Sequence, residues 1–552
     1  DNMKLTWNTR AGFRYADQFQ KQHYPAHPEG YYYLPESEYL SGGRNEHILA
    51  TDFFPEKGVY NYTHRQLYTM FYTTLDYQWD ITPDHSLSAL LGFQDEGQSL
   101  RTMSGRRDFY PSDSMTELDG GSTEGQTLSG NITEFALRSL FGRLNYAYQG
   151  KYLAEVNFRY DGTSRIYKDN RWGIFPSFSA AWRISEENFI KDNLSWVNNL
   201  KLRASWGKLG NSEIGNYPYQ DVYQTASYIF DNEIAQGVVQ NALKNKDLKW
   251  ETTTATDIGL EANLANGLFS LTFDWYNKVT DGILSQAPIP ASVGMSAPTV
   301  NYGKLRNRGV EFEVGHQNRI GDFTYGASFM ASFNKNKVLQ LMAPSYGSYI
   351  YEEGKPYGEH YLYIWDGIFQ SEEDMANSPK HPNNPQPGDI KFKDLNEDGV
   401  INSEDRTMVE GVYPKMLYSF NLNFGYKDFD LSLFFQGVEG RKIWTDGFGE
   451  DPFAQGASPS RKFLDAWTPE NTDTNVPALY VWGYAPMCNT RSTYNLKDAS
   501  YLRLKNLQFG YNIPKRYLNK IGIEFLRVYF SGENLFTFTD YPDYDPERGG
   551  DG

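Results

Sequence analysis

The sequence predicts an all-β, transmembrane antiparallel β-barrel, and three observations carry that expectation. The first is parity. Between Met416 and Val438, Phe420, Leu422 and Phe424 alternate with Ser419, Asn421 and Asn423; past a short turn at Lys427-Asp428, Leu431, Leu433 and Phe435 alternate with Ser432 and Gln436. Successive side chains of a strand point to opposite faces, so each of these strands has an apolar and a polar side. A soluble sandwich shows the same alternation with its apolar side inward; a membrane barrel turns that side to lipid and the polar side to a wet lumen. The second observation separates the two: short turns and long loops alternate along the chain, so one end of the strand set carries every long loop, as in outer-membrane barrels. The third is composition. Mean hydropathy is −0.63, and no stretch approaches the ~20 apolar residues of a membrane helix, which leaves a barrel as the way to cross a bilayer.

Fifteen strand candidates follow in order, joined in pairs by short turns. Met3–Arg14 comes first, before a long loop with the aromatic run Tyr31-Tyr32-Tyr33. Gln66–Trp79 and His85–Gln94 are joined by a tight turn, Leu137–Tyr148 and Tyr152–Tyr160 at Gln149-Gly150, and Trp172–Ile184 and Leu200–Trp206 by a corner with a short helix. Trp250–Leu264 and Leu268–Val279 meet at Asn266-Gly267, and Gly309–Gly315 and Phe323–Phe333 at a short polar turn. The Met416–Val438 hairpin and then Ala499–Tyr511 and Glu524–Gly532 close the series. Between them lie two long insertions, residues 335–415 and 439–498, the second with a helical segment near Ser460–Trp467. Parity places Val156, Phe158, Leu271, Phe273, Trp275, Phe420, Leu422, Leu431 and Leu433 on the lipid side, and Asn157, Arg159, Thr272, Asp274, Asn421 and Asn423 in the lumen.

Charge and chemistry narrow the function. A net charge of −17 argues against nucleic acid as a partner, and the single Cys488 excludes a disulfide framework or a cysteine metal cluster. Aromatic residues make up 16% of the chain, enough to furnish interface girdles, loop cores or ligand-stacking surfaces. No G-x-S-x-G, H-E-x-x-H or P-loop lysine motif occurs, and no carboxylate pair stands out, so no catalytic residue is assigned and an enzyme is not expected.

One loop does have site-like spacing. Asp394 to Asp405 reads DLNEDGVINSED, which follows the calcium-loop order D-x-N-x-D-G-x-I. Asp394, Asn396 and Asp398 would offer side-chain oxygens, Val400 its carbonyl and Asp405 the closing carboxylate, with Asn402 direct or through water and Gly399 making the turn. A solvated acidic turn is the alternative. Asp at the last position is shorter than the usual Glu, so magnesium stands beside calcium as the ion. Such a site would pin a loop rather than catalyse.

Several long stretches resemble one family. GRLNYAYQGKYLAEVNFRYDGTSR, RWGIFPSFSAAWRISEE, LKLRASWGKLGN, NRGVEFEV, GDIKFKDLNEDGVINSEDRTMVEGVYPK, FFQGVEGRKIW and YLRLKNLQFGYNIPK, with the closing run LRVYFSGENLFTFTDYPDYDPE, are similar to SusC/RagA TonB-dependent outer-membrane transporters. The resemblance spans about Phe141 to Glu547 and is weaker in the first ~135 residues, as variable loops allow. It implies a ~22-stranded barrel plugged by an N-terminal domain. It also implies import of oligosaccharides, or alternatively peptides, under a SusD-like surface lipoprotein, driven by the TonB-ExbB-ExbD complex, in dimers of transporter–lipoprotein pairs. A plug and a final strand are absent from the sequence as it stands, so the chain is expected to be a portion of a longer transporter. A barrel enzyme and a soluble all-β glycan-binding module are the competing classes.

Overall fold

A computed structural model describes residues 3–24, 27–32, 48–54, 57–381, 384–445, 458–479, 490–542 and 545–547; for 27–32 and 48–54 it describes the backbone alone. Its main feature is one fifteen-stranded sheet in which every strand pairs antiparallel with its neighbours in sequence. The strands are β1 (Met3–Tyr24), β2 (Gly58–Thr82), β3 (His85–Asp108), β4 (Thr127–Tyr148), β5 (Tyr152–Thr163), β6 (Trp172–Arg183), β7 (Val197–Asn211) and β8 (Glu251–Leu264). They continue as β9 (Phe269–Asp281), β10 (Lys304–Ile320), β11 (Phe323–Gln340), β12 (Met416–Tyr426), β13 (Phe429–Glu439), β14 (Tyr501–Asn512) and β15 (Arg527–Thr539). No helix among the described residues is long and apolar enough to cross a membrane.

All fifteen expected strands are present, and several are longer than parity suggested. β3 runs to Asp108 instead of Gln94, β1 to Tyr24 instead of Arg14, and β11 to Gln340 instead of Phe333. Each extension lies at the long-loop end. There both faces are wet, so the apolar–polar alternation that reveals a strand in a bilayer is no longer required, while the backbone ladder can continue.

The face assignment follows from the register. Phe273 lies opposite Leu260 and Phe312, and Trp275 opposite Ile258 and Val310. Phe420 faces Phe329 and Phe435, and Leu422 faces Ala327 and Leu433. Val156, Phe158, Phe273 and Trp275 are all exposed, at 37–41% of their surface, which in an apolar stripe is a lipid-facing signature. The other face is polar: Arg143 Nε donates to Asn157 Oδ1 at 2.8 Å, Asn157 Nδ2 to Glu155 Oε1 at 2.7 Å, and Ser432 Oγ to Asn423 Oδ1 at 2.7 Å. Some aromatics also sit on this polar side, among them Phe434 opposite Asn421 and Phe141 and Phe175 opposite Arg159. Tyr148, Tyr152 and Trp182 stack along the outward face near the turns, with Tyr160 against Trp172 at its other end; aromatics at both margins of an apolar band form interfacial girdles.

The seven short connections share one rim. Gln149 and Gly150 both take positive φ, 51° and 63°, the geometry of the tight hairpin turns whose twist matches that of the strands. Successive connections are bonded to each other. Gln149 N donates to Asp84 O (2.6 Å), Arg183 N to Lys151 O (2.8 Å), Ala265 N to Trp196 O (2.6 Å), Gln317 N to Leu268 O (2.9 Å), Lys427 N to Asp322 O (3.3 Å) and Asn512 N to Asp428 O (2.8 Å). The expected helix at the β6–β7 corner is the single turn Asn188–Lys191, and the segment near Trp467 is a tight 3₁₀ turn, Arg461–Asp465. With this rim inward and the loops outward, and with the native Cys488 replaced by Ser, a single cysteine at Ser403 in intact cells will react with a membrane-impermeant maleimide, and one at Asp84 will react only after permeabilisation. Equal labelling of the two would refute the orientation.

Candidate functional site: the lumen wall and the loop module above it

The polar face of the wall is concave. A cavity of about 660 Å³ runs from Gln78 and Asp80 of β2, through Ser88, Asn145, Glu155 and Ser179, to Lys201, Arg203 and Ser205 of β7 and Asp257 of β8. Arg203 is its electrostatic centre. Its guanidinium lies 3.0 Å from Asp257, 3.0 Å from Glu261 and 2.5 Å from Asp274, and Lys201 lies 3.6 Å from Glu261. Gly259, directly opposite both Arg203 and Asp274, makes this possible. A Cβ there would fall 2.2 Å from Asp274 Oδ1 and 2.7 Å from Arg203 Cζ. Of these residues sequence parity assigned only Asp274 to the lumen; Arg203 was legible in the alternation of LKLRASW, where it falls between Leu202 and Ala204.

Above the wall, the two long insertions build a single module. Ser345–Tyr346, Tyr349–Tyr351, Glu359–Tyr363 and Arg406–Val409 form a four-stranded sheet, Trp365–Ile368 pairs with Ile390–Phe392, and Lys442–Trp444 pairs with Leu496–Asp498. Ile390, Phe392 and Ile401 form a buried core, covered by Tyr363, Trp365 and Tyr494. The ring of Phe392 stacks on Tyr363 at 4.9 Å and on His381 at 5.5 Å. Tyr363 N donates to Arg491 O, Trp365 N to Thr493 Oγ1, and Trp467 Nε1 to Gln370 Oε1, so the insertions are bonded to one another. The tyrosine clusters of this region therefore serve as loop core, although Tyr346 and Tyr357 remain exposed. The Tyr31–Tyr33 side chains lie outside the described residues.

Buried ionisable groups without a sequence signature include Glu359, His360 and His381 of the module. Glu359 accepts from the amides of Gly411 (2.9 Å) and Val412 (3.1 Å), and burial still pushes its carboxyl above the usual range. His360 Nε2 lies 3.4 Å from Lys442 O, and burial lowers its imidazole. Burial drives His381 down to about 4, with Lys391 adding to the effect and Asp405 opposing it. An unfolded imidazole takes its proton near pH 6.5, so between that value and about 4 the unfolded module binds more protons than the folded one. The contribution of His381 is thus complete above pH ~6.5 and falls by up to about 3 kcal/mol as the pH drops towards 4, while Glu359, whose carboxyl is raised, acts in the opposite sense. Hydrogen exchange of the Phe392 amide at pH 7 and pH 4.5 will show the loss, and His381→Phe will reduce it.

The Asp394–Asp405 loop has the turn geometry its spacing predicts. Asp394 Oδ1 and Oδ2 accept from the amides of Glu397 (2.7 Å) and Gly399 (2.8 Å), Asn396 Oδ1 from Asp398 N (3.1 Å), and Asp398 Oδ1 from Val400 N (2.8 Å). Gly399 takes φ 82°, as the sharp turn demands. Val400 bridges to Lys380. Asp405 is fully buried; its two oxygens accept from Leu395 N (2.9 Å) and Asn402 N (2.8 Å), the latter within a reciprocal cap with Asn402. It fastens the loop from beneath, while Asn396 Nδ2 reaches Glu404 at 3.2 Å. Oxygens alone make up this set, which suits a hard cation. Among the described residues no group of three or more His, Cys, Asp or Glu side chains is placed to hold a metal.

A family model described as TonB dependent receptor-like, beta-barrel matches residues 1–535. The chain belongs to that family. This receptor barrel is 35% identical over 480 residues to the TonB-dependent receptor P3 of Formosa agariphila, covering 84% of the chain and 47% of the relative. It is 30% identical over 443 residues to the TonB-dependent receptor SusC of Bacteroides thetaiotaomicron, covering 75% of the chain and 42% of SusC. Among solved structures, the RagAB peptide transporter superposes with a TM-score of 0.80 at 25% identity, over 99% of the chain and 58% of that protein. The receptor barrel is thus of the SusC/RagA type and resides in the outer membrane of a Gram-negative bacterium. Its family is one of receptors and transporters. The chain spans about half the length of the curated relatives it matches.

Proposed function

We propose that the protein is an outer-membrane nutrient importer of the SusC type that takes up oligosaccharides, under a SusD-like lipoprotein lid and with energy from the TonB complex. The observation that carries this reading is the 30% identity to SusC over three quarters of the chain. A polar lumen wall supports it, since hydroxyl, amide and charged groups such as Ser88, Asn145, Glu155 and Arg203 suit a hydrated sugar chain better than an apolar ligand. The likeness to the RagAB peptide transporter favours oligopeptides as a second reading. The loop module is the surface that meets the lipoprotein, in a dimer of transporter–lipoprotein pairs.

Uptake by cells carrying the full-length receptor and its lipoprotein decides between them. A labelled oligosaccharide mixture should accumulate in a TonB-dependent manner and a labelled peptide mixture should not. Peptide accumulation alone selects the second reading; accumulation of neither, or hydrolysis without uptake, defeats both.

A calcium ion, with magnesium as the alternative, belongs in the Asp394 loop, on oxygens of Asp394, Asn396, Asp398 and Val400 with Asp405 as the fifth residue of the set. What supports this reading is the order of oxygen-bearing residues along the loop and the turn made by Gly399. Calcium should raise the protection of this loop's amides from hydrogen exchange, and a chelator or Asp398→Ala should remove that gain and weaken lipoprotein binding without unfolding the barrel. Exchange unaffected by calcium would leave an acidic turn.

A further inference from the structure

The outward face of β10 and β11 changes character at its outer end. From the short turn outward, that face of β11 carries Phe323, Tyr325, Ala327, Phe329, Ala331 and Phe333, and then Lys335 and Lys337. On β10 the same face ends in Phe312 and Val310, followed by Arg308 and Arg306. The register sets Arg308 opposite Lys335 and Arg306 opposite Lys337, like charges directly across a strand pair, which is destabilising by itself. Neighbouring strands do not neutralise them. The residues opposite on β9 are Asn277 and Val279, and beyond them on β8 Thr256 and Thr254. Arg308, Lys335 and Lys337 are exposed, and among the described residues none of the four has an ion-pair partner. Just above them Lys304 is paired with Asp281 at 2.8 Å.

Their height is informative. Phe323 to Phe333 is ten residue steps, about 33 Å along a strand and about 25 Å along the membrane normal at the usual tilt, the height of the apolar band of a barrel. The four cations therefore stand where the outer leaflet's headgroups lie. Beside them the wall is notched: β12 pairs with β11 only as far as Ser332, and a groove of about 680 Å³ opens between β11 and the chain entering β12. Trp275, Phe333, Tyr413 and Pro414 line it, with Arg308, Lys335 and Lys415 among its cations. Of its two carboxylates, Glu359 is held by the Gly411 and Val412 amides, leaving Glu410.

We propose that this patch binds the phosphorylated headgroup of an outer-leaflet glycolipid, lipid A, with phosphate on Arg308, Lys335, Arg306 and Lys337 and an acyl chain in the Trp275–Phe333 groove. Phosphate resolves the like-charge opposition, and charge-assisted hydrogen bonds to arginine and lysine fix it. Basic pockets beside a membrane surface recognise lipid headgroups in this way. The proposal does not depend on what the receptor imports.

The test uses the full-length receptor purified with its lipoprotein from outer membranes, with co-purified lipid A counted by mass spectrometry. Arg308→Gln/Lys335→Gln and Arg306→Gln/Lys337→Gln should each retain at least threefold less lipid A than the parent, whereas Lys520→Gln on the opposite rim should retain as much. Heat-modified electrophoretic mobility confirms that each variant is folded. A second arm needs no variant: delipidated parent receptor should take up phosphorylated lipid A and not the dephosphorylated form. Unchanged lipid content in both double variants overturns the proposal, as does equal uptake of dephosphorylated lipid. Saturation by inorganic phosphate alone, or loss of a receptor–receptor contact at constant lipid content, also overturns it by naming a different occupant.

Discussion

Phe273→Arg will lower the folding stability of the receptor by about 2–4 kcal/mol, and Thr272→Arg, one residue away, will change it far less. The first substitution places a guanidinium at mid-height on the outward face, where hydrocarbon offers it neither water nor a counter-charge; that cost is characteristic of lipid-facing barrel positions near the midplane. The second points into the lumen, where Thr272 lies opposite Glu261 and Glu313 and an added cation finds two carboxylates. Refolding both variants into bilayers and comparing the folded fractions across a denaturant series measures the difference. Equal losses would mean that the two faces have been exchanged.

Phe392→Ala will open the loop module and leave the wall standing. Phe392 is 2% exposed and packs with Ile390 and Ile401 between the rings of Tyr363 and His381. Truncating a buried Phe costs about 3–5 kcal/mol, and a core of three fully buried side chains has little to set against that. Hydrogen exchange should rise across residues 359–409 while the amides of β4 to β9 keep their protection. Because this module is the proposed seat of the lipoprotein, complex formation should fall in parallel. Protection lost equally in both regions would show that module and wall unfold as one unit.

The wall was legible because a bilayer imposes a rule on every second residue. Phe420 against Asn421, or Phe273 against Asp274, is a choice that lipid enforces at each step, so strand identity and facing could be read without a structure. Where lipid ends, the rule ends, and the outer halves of β1, β2, β3 and β4 were read as loop for that reason. The Asp394 loop was legible through spacing, since its side chains bond to amides only two to five residues on. Glu359 and His381 were not. Their surroundings come from Gly411, Val412, Lys391 and Phe392, brought in by pairings between distant segments, and no local pattern encodes that. Asp405 shows a mixed case: its position was predicted, but not that it would be buried, with both oxygens on the Leu395 and Asn402 amides.

The order of the strands also sets the order of assembly. Each hairpin of the meander can be laid on its predecessor as the chain is delivered, and the only search at each seam is the closing of one connection. Most are short, such as the eight residues between β5 and β6, but 75 separate β11 from β12 and 61 separate β13 from β14. Closing the longest costs about 2 kcal/mol more than closing an eight-residue loop, three doublings of length at ~0.6 kcal/mol each. These two connections carry a folded module of their own, whereas the shorter ones carry at most a two-stranded pairing, such as Tyr223–Phe230 with Glu233–Gln240. Near its ends the second is drawn shut by Ala499 N on Arg441 O and Gly440 N on Ser500 Oγ, both 2.9 Å. A connection that folds before its seam closes presents its two strands side by side, so the module that faces outward in the finished barrel also serves as the splint that holds the late seams together while the wall is being built.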